Sequence, residues 1–179
     1  FLFFCYSLTC IARTASLGEI NCYIMSDTQR TLVLIKPDAV QREILGRVIS
    51  RFEQKGLKIA AMKFTHLDDV TLDEHYGHLS DKPFFGDLKK FMMQTPVVAL
   101  VLEGIGVIDE VRKIVGSTNP READAGTIRA DLSMNVPANM VHASDSEESA
   151  TVEVKRFFEE SELFTYEKFT DIYHFGEGV

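Results

Sequence analysis

Four short segments with the pattern of strands, separated by segments of helical periodicity, restrict the fold of this chain more than any other feature. The first, Thr31-Leu32-Val33-Leu34-Ile35, predicts a buried strand that ends in a turn at Lys36-Pro37-Asp38. A loosely alternating segment predicts a second strand at 57–65, and two further strands are predicted at 97–102 and 140–143. Helices are predicted at 44–52, 68–78, 84–93, 107–115 and 146–158.

The order of these elements predicts the fold class. Four strands with helices between them suit an α+β protein in which helices pack on one face of a mainly antiparallel sheet. Residues 117–138 are rich in Asn, Pro, Asp and Gly and show no sustained period, which predicts a long functional or disordered loop. No internal repeat or second domain is evident, so we expect residues 25–179 to form a single domain.

The first 24 residues differ from the rest. Phe1–Ala12 is apolar but too short to span a bilayer, and Met25 resembles an ordinary translation start. We interpret residues 1–24 as a leader or upstream extension outside the fold, with a cleaved targeting peptide as the alternative. All three cysteines lie there, at Cys5, Cys10 and Cys22. An odd number of cysteines outside the folded part does not form a disulfide framework, so we expect a reducing, cytoplasmic setting.

The charge balance limits the kind of partner. A net charge of −8 opposes non-specific binding to nucleic acid or to an anionic membrane, so we expect neither as a partner. A phosphate site would therefore depend on a few basic residues placed locally. Neither a Walker-type nor a G-x-G-x-x-G motif is present, so a nucleotide would need another kind of cradle.

His142 is the strongest candidate for chemistry. It lies at the end of the strand predicted at 140–143 and just before Ser144 and Glu147, which have the spacing of a capping box. A helix start favours negative charge. The position suits a histidine that meets phosphate, although a cap or a satisfied surface histidine would have the same local sequence.

Three basic residues could supply the cations. Lys36 lies where a buried strand ends, and Arg112 lies beside the apolar stripe of its helix. Thr127-Ile128-Arg129 is predicted as an extended triplet that points its first and third side chains to the same side. Such groups bind phosphate oxygens well, but each could instead be a surface residue in a solvated ion pair. The turn at Thr118-Asn119-Pro120 adds a free hydroxyl.

Glu153 lies next to the buried stripe of the last helix. A carboxylate that leans into a core is costly unless it is paired, and His142 is an available partner. Such a carboxylate would fix the tautomer and the orientation of the imidazole. The alternative is a glutamate at the rim that faces Lys155 or Arg156.

Further polar and aromatic residues have two interpretations each. Phe84 and Phe85 could belong to the core or form a platform for a base. Asn139 could contact a sugar hydroxyl or simply end the loop. The spacing of His75 and His78 hints at metal, but no Cys or carboxylate set completes a cage, so we do not predict metal ligation there.

Taken together, six motifs closely resemble those of the nucleoside diphosphate kinase family, and they occur in the family's order without gaps from about Thr31 to Tyr173. They are Ile35-Lys36-Pro37-Asp38, His75-Tyr76, Lys82-Pro83-Phe84-Phe85, Thr118-Asn119-Pro120, Gly126-Thr127-Ile128-Arg129 and the stretch Asn139–Ser146.

The resemblance implies a ferredoxin-like α/β sandwich with a four-stranded antiparallel sheet, assembled into homo-hexamers or, alternatively, homo-tetramers. It also implies a ping-pong reaction in which Mg-NTP phosphorylates a histidine that then phosphorylates an NDP. Stacking on an aromatic ring reads the face of a base and not its edge, which would explain a broad tolerance of bases.

The resemblance also implies roles for individual residues. His142 matches the phosphorylated nucleophile, and the residues that position it match Ser144 and Glu153. The positions that contact the phosphates or the transferring group match Lys36, Tyr76, Arg112, Thr118 and Arg129. The family positions that contact the sugar correspond to Asn139 and Lys36 here. The family positions beside the base correspond to Phe84, Val136 and Leu88. No protein group is expected to bind Mg²⁺ directly, but Asp145 could contact it through water.

Several departures from the family pattern involve alanine. The family more often has Gly at three positions that hold alanine here, namely Ala39, Ala130 and Ala143. In addition, Ala138 follows Pro137 in place of the usual Gly-Arg. A positive φ at Ala143 would cost roughly 1 kcal/mol. These alanines motivate a second hypothesis, a catalytically silent binding or scaffold protein of the same fold. The acidic composition argues against a third, a nucleic-acid-binding ferredoxin-like domain.

Overall fold

The computed structural model describes residues 28–168, and the leader predicted at 1–24 lies outside this range. Its sheet has four strands, all paired antiparallel, in the order β2-β3-β1-β4. The strands are β1 (Thr28–Ile35), β2 (Lys58–Thr65), β3 (Val97–Ile105) and β4 (Val141–Ala143). The four predicted strands are thus confirmed, and β1 and β3 extend further than the apolar runs alone indicated.

Seven α-helices occur in the described part of the chain. They are α1 (Pro37–Gln41), α2 (Leu45–Gln54), α3 (Asp69–Tyr76), α4 (Phe85–Met92), α5 (Val107–Val115), α6 (Ile128–Leu132) and α7 (Glu147–Phe157). Short 3₁₀ helices follow α3 and α7, at Gly77–Leu79 and Glu160–Glu162. The five longer helices are those that the apolar spacing predicted.

Helix α1 corrects the prediction of a simple turn after β1. Pro37 occupies the first helical turn, where a missing N–H costs nothing and the fixed φ suits a helix. Helix α2 then ends as predicted, because Gly56 takes a φ of +85° that other residues adopt at a cost.

Helices cover both faces of the sheet, so the prediction of one covered face is wrong. Val33 and Ile35 of β1 pack in a core with α2, α5 and α6. Leu32 and Leu34 of the same strand pack in a second core with α3, α4 and α7. The reason is visible in β1, which is apolar at successive positions instead of alternating, as strands buried on both faces are. The result is an α+β fold, a ferredoxin-like α/β sandwich.

The pairing of β1 with β4 brings distant parts of the sequence together. Leu34 lies opposite His142 in the antiparallel register. One residue beyond β1, the Lys36 backbone N–H donates to the Met140 carbonyl over 2.8 Å. The end of the first strand and the start of the last therefore form one side of a cleft. None of the helices within residues 28–168 combines the length and the apolar character needed to cross a membrane.

Candidate active site

A cleft of about 1370 Å³ opens beside β4, between the long loop and helices α3, α4, α5 and α7. Twelve of the thirteen residues predicted from the sequence line it: Lys36, Tyr76, Phe84, Leu88, Arg112, Thr118, Arg129, Val136, Asn139, His142, Asp145 and Glu153. Ser144 is the exception and lies buried behind the wall of the cleft, 1% exposed.

His142 and Glu153 face each other at the centre of the cleft wall. The Nε2 atom of His142 lies 3.1 Å from Glu153 Oε2, and the histidine side chain is 21% exposed. An ionised carboxylate only accepts hydrogen bonds, so this contact places the imidazole proton on Nε2. Nδ1 then keeps its lone pair, and no described residue forms a hydrogen bond with it. Nε2 of His142 is therefore held by Glu153, whereas Nδ1 is available to a ligand.

Glu153 is held in its charged form. Burial alone would raise its pKa, but hydrogen bonds from His142 and Ser144 hold the pKa below its ordinary value. Ser144 Oγ donates to Glu153 Oε2 over 2.7 Å. Among the described residues Glu153 forms no salt bridge with Lys155 or Arg156, so the rim alternative is wrong.

Ser144 has a different local role from the one its spacing predicted. Ser146 is the N-cap of α7, with its Oγ accepting from the Ser149 backbone N–H over 3.1 Å. The chain stays extended beyond β4, since the Ser144 N–H still donates to the Leu32 carbonyl at 3.2 Å. The Leu32 N–H in turn donates to Ser144 Oγ at 3.3 Å. The capping-box prediction is therefore wrong, and Ser144 links β1 to Glu153.

His75 and Tyr76 form the floor beneath His142. The His75 ring packs edge-on with its centroid 4.4 Å from that of His142, and the Tyr76 ring lies 5.9 Å away. Burial lowers the pKa of His75 to about 3, so His75 is neutral. Burial also raises the pKa of Tyr76, whose hydroxyl has no hydrogen-bond partner among residues 28–168.

Lys36, Asn139 and Thr118 are joined in one chain of hydrogen bonds. Lys36 Nζ donates to Asn139 Oδ1 over 2.7 Å, and Asn139 Nδ2 donates to the Thr118 carbonyl over 2.9 Å. Lys36 is only 8% exposed, so it is not a surface cap. Burial lowers its pKa to about 8, assisted by the charge of Arg129 and opposed by that of Asp38.

Arg129 corrects a second local prediction. Thr127 is the N-cap of α6, with its Oγ1 accepting from the Ala130 N–H at 3.3 Å, and Arg129 is helical instead of part of an extended triplet. Its guanidinium donates to the carbonyls of Gly116 at 2.9 Å and Val141 at 2.8 Å. Burial lowers its pKa to about 10, and the neighbouring charge of Arg112 adds to this.

The two arginines are not neutralised by acids. Neither Arg112 nor Arg129 forms a salt bridge with any residue between 28 and 168, which contradicts the alternative of solvated ion pairs. Arg112 is exposed and lines the cleft. The two guanidinium groups therefore carry positive charge at the cleft without a salt-bridged acid among residues 28–168.

Two exposed apolar side chains line the cleft. Phe84 is 51% exposed and Val136 47% exposed, so both present apolar surface to a ligand. Phe85 packs against the core instead, which separates the two interpretations of the adjacent phenylalanines.

The backbone strain lies at Met140, not at Ala143. Among the described residues other than glycine, only Glu43 and Met140 have positive φ, at 55° and 68°. The Met140 N–H donates to Asp38 Oδ2 over 3.0 Å, and this bond holds the strained turn two residues before His142. The sequence carried no signal for it, since methionine is not typical of left-handed backbone. Ala39, Ala130 and Ala143 have ordinary φ, which removes the strain that motivated the silent-protein hypothesis.

Metal-binding groups in the cleft are of two kinds. Asp145 is exposed on the cleft wall and forms no salt bridge within the described chain, so its oxygens are accessible. Mg²⁺ keeps several waters and needs only one or two carboxylates when a nucleotide carries it, so this site fits. The second group is His75, His142 and Glu153, which is rich in nitrogen and does not suit Mg²⁺.

Comparisons with known proteins show which proteins this chain is similar to. The family model described as nucleoside diphosphate kinase matches residues 29–163. The chain is 49% identical over 139 residues to a nucleoside diphosphate kinase of Methanobrevibacter smithii, covering 78% of this chain and 93% of that protein. It is 48% identical over 153 residues to a nucleoside diphosphate kinase of Pyrococcus horikoshii, and the match covers 84% of this chain and 98% of that protein.

Solved structures show the same likeness. A halophilic nucleoside diphosphate kinase from Halobacterium salinarum in complex with CDP superposes with a TM-score of 0.80 at 37% identity, over 82% of this chain and 97% of that one. A nucleoside diphosphate kinase family protein from Babesia bovis superposes with a TM-score of 0.79 at 41% identity, over 82% of this chain and 99% of that one.

Proposed function

Because the chain belongs to the nucleoside diphosphate kinase family, we propose that it is a phosphotransferase that moves the γ-phosphoryl group of an NTP to an NDP. The observation that best supports this is the His142–Glu153 pair at 3.1 Å, in a cleft with two arginines that form no salt bridge within residues 28–168. The reaction is ping-pong, with a phosphohistidine at His142 as the intermediate.

In the first half-reaction, the lone pair of His142 Nδ1 attacks the γ-phosphorus. An N–P bond forms as the bond to the β–γ bridging oxygen breaks, and the electron pair leaves with the NDP. The imidazole becomes positively charged, and the Nε2–H held by Glu153 stabilises that charge. In the second half-reaction, a terminal oxygen of another NDP attacks, the N–P bond breaks and its electron pair returns to Nδ1.

The cations of the cleft stabilise the transferring group. Phosphoryl transfer through a loose transition state depends mainly on alignment and on positive charge around the equatorial oxygens. Lys36, Arg112 and Arg129 supply that charge. The Tyr76 hydroxyl, which has no hydrogen-bond partner among the described residues, can donate to a phosphoryl oxygen. The hydroxyl of Thr118 adds a further contact.

Mg²⁺ fits as a nucleotide-borne cofactor. Asp145 would hold it through a water molecule, and the bound ion would offset the negative charge of the β- and γ-phosphates.

The remaining contacts select a nucleotide without selecting its base. Asn139 and Lys36, already joined by a hydrogen bond, bind the sugar hydroxyls. Phe84 and Val136 sandwich the base with Leu88 beside them, and their exposed apolar surfaces in the cleft support this. Since stacking does not read base edges, all common NDPs should be accepted.

We further propose a homo-oligomer formed by one domain spanning residues 25–179. A homo-hexamer is favoured over a homo-tetramer, and a cytoplasmic setting is expected. The edge strand β2 carries Met62 and Phe64, each 57% exposed, which supports burial against another copy. Light scattering on the eluting protein would separate the two assemblies, and a monomer would contradict both.

A coupled assay with a non-adenine NDP as acceptor and ATP as donor tests the proposed activity. We expect steady turnover with GDP, CDP and UDP. Nucleotide binding without turnover would contradict the proposal.

A further inference from the structure

His75, His142 and Glu153 form a compact cluster of metal-ligating groups. One ligand atom from each lies within 4.8 Å of the other two. His142 Nε2 is 3.1 Å from Glu153 Oε2, and His75 Nδ1 is 3.9 Å from Glu153 Oε1. In tetrahedral zinc sites, neighbouring ligand atoms are about 3.4 Å apart, as bond lengths near 2.0–2.1 Å require. The two measured distances end on different oxygens of Glu153 and lie on either side of this value, and the limit of 4.8 Å holds for one atom from each residue.

The chemistry of the donors selects the ion. Two imidazoles and one carboxylate are the protein ligands of many zinc sites that keep a fourth position open for water. Mg²⁺ prefers oxygen donors, so it would not compete well for this position. We propose that His75, His142 and Glu153 bind Zn²⁺, and that the bound ion inhibits the enzyme.

The inhibition follows from the tautomer of His142 and rests on the proposed function. Without metal, Nε2 carries the proton that it donates to Glu153, and Nδ1 has the lone pair that attacks phosphorus. An ion on Nε2 uses that nitrogen's lone pair, and the single proton of the neutral ring must then reside on Nδ1. A protonated Nδ1 has no lone pair for an N–P bond. Zinc therefore silences the nucleophile by changing the tautomer of His142.

Arg156 opposes the ion. Its Nη1 atom lies 3.4 Å from His75 Nδ1, the nitrogen that zinc would use, and its Nε lies 3.6 Å from Glu74 Oε2. Zinc must displace this guanidinium and overcome the repulsion between two positive charges. Removing the charge of Arg156 should therefore strengthen zinc binding, an effect in the opposite direction to the loss of a ligand.

Calorimetric titration of the full-length protein with Zn²⁺ tests the site directly. Wild type should bind zinc, and His75→Gln and Glu153→Gln should each weaken that binding roughly tenfold or more. His66→Gln, which changes an exposed histidine outside the cluster, is the matched control and should bind as wild type does. Arg156→Met should bind more tightly than wild type.

Visible absorption of the Co²⁺-substituted protein gives a second readout. A low-coordinate cobalt site should give an intense band that disappears in His75→Gln, while circular dichroism verifies that the variant is folded. Zinc binding unaffected by His75→Gln and Glu153→Gln would overturn the proposal, as would unchanged or weaker binding in Arg156→Met.

The inhibitory consequence is measured separately from the binding. Zinc should reduce phosphorylation by labelled ATP in parallel with occupancy, with full recovery after chelation, and the effect should need higher zinc in His75→Gln. If the protein binds zinc but wild type takes no label even without zinc, the proposed function has failed while the metal site stands. If label forms equally well at full zinc occupancy, the inhibitory role is wrong.

Discussion

The Nε2 atom of His142 lies 3.1 Å from the Oε2 atom of Glu153, and this contact decides which nitrogen of the ring can act. Glu153 also accepts a hydrogen bond from Ser144, so its carboxylate has a fixed orientation. The proton stays on Nε2 and Nδ1 is available. In the proposed reaction, Glu153 therefore acts through His142 and not through a contact with the phosphate.

Glu153→Gln should slow phosphorylation of His142 by about tenfold or more, because a neutral amide neither fixes the tautomer nor stabilises the positive imidazole. The change should appear in kcat and much less in KM for either nucleotide. Stopped-flow measurement of the first half-reaction would show it. Glu147→Gln, an exposed acid on the same helix, should leave the rate unchanged. Equal rates for Glu153→Gln and wild type would contradict the positioning role.

Ser144→Ala should lower the free energy of unfolding by about 1–3 kcal/mol, because it removes a buried partner of both Glu153 and the Leu32 N–H. Since Ser144 lies behind the cleft wall, kcat should fall with little change in KM. Urea denaturation and steady-state kinetics measure the two effects. Ser50→Ala, which removes an exposed hydroxyl, should change the unfolding free energy by less than about 0.5 kcal/mol.

Nucleotide affinity should fall as the pH rises through about 8, since burial lowers the pKa of Lys36 to about 8 and the deprotonated amine no longer attracts phosphate. Stability should move in the opposite direction. Between pH 8 and the ordinary pKa of 10.5, the unfolded chain binds the proton that the folded protein has lost, so this lysine makes the unfolding free energy rise with pH.

Fluorescence titration with a labelled NDP and urea denaturation across this pH range measure both trends. The Lys36→Met variant should lose the pH dependence of both nucleotide affinity and unfolding free energy. The Lys82→Met variant, which changes an exposed lysine, should keep both. Wild-type affinity that stays constant to pH 10 would show that Lys36 is not the titrating group.

Glu43→Gly should raise the free energy of unfolding by about 0.5–1 kcal/mol. Glu43 has a φ of 55°, which glycine adopts without steric cost. Glu53→Gly in helix α2 is the matched control and should lower it by up to about 1 kcal/mol, since its backbone is helical. Thermal or urea unfolding of both variants would settle the sign. A loss of stability in Glu43→Gly would contradict the assignment of strain there.

Periodicity predicted the long elements but missed the short ones. Helices α1 and α6 have five residues each, too few for a recurring apolar face. Their starts did carry local signals, Pro37 in the first turn and Thr127 as an N-cap, which were interpreted as a turn and as an extended triplet. The second covered face of the sheet could have been inferred from the uninterrupted apolar run in β1.

The site residues were predicted because their types occur in a known order, yet their contacts depend on tertiary packing. Asp38 holds Met140 through a hydrogen bond across 102 positions of sequence, and no local pattern predicts such a contact. The packing of His75 against His142 was missed because the sequence suggested His78 as its neighbour. The pKa of Lys36 likewise follows from burial that only the folded chain creates.

Phosphorylation of the protein with NTP labelled in its γ-phosphate tests the central claim most directly. We expect one acid-labile, alkali-stable phosphohistidine per chain, bonded through Nδ1 of His142, that disappears when an NDP is added. The label should be absent from His142→Gln. A wild-type protein that takes no label, or a His142→Gln variant that still does, would contradict this account.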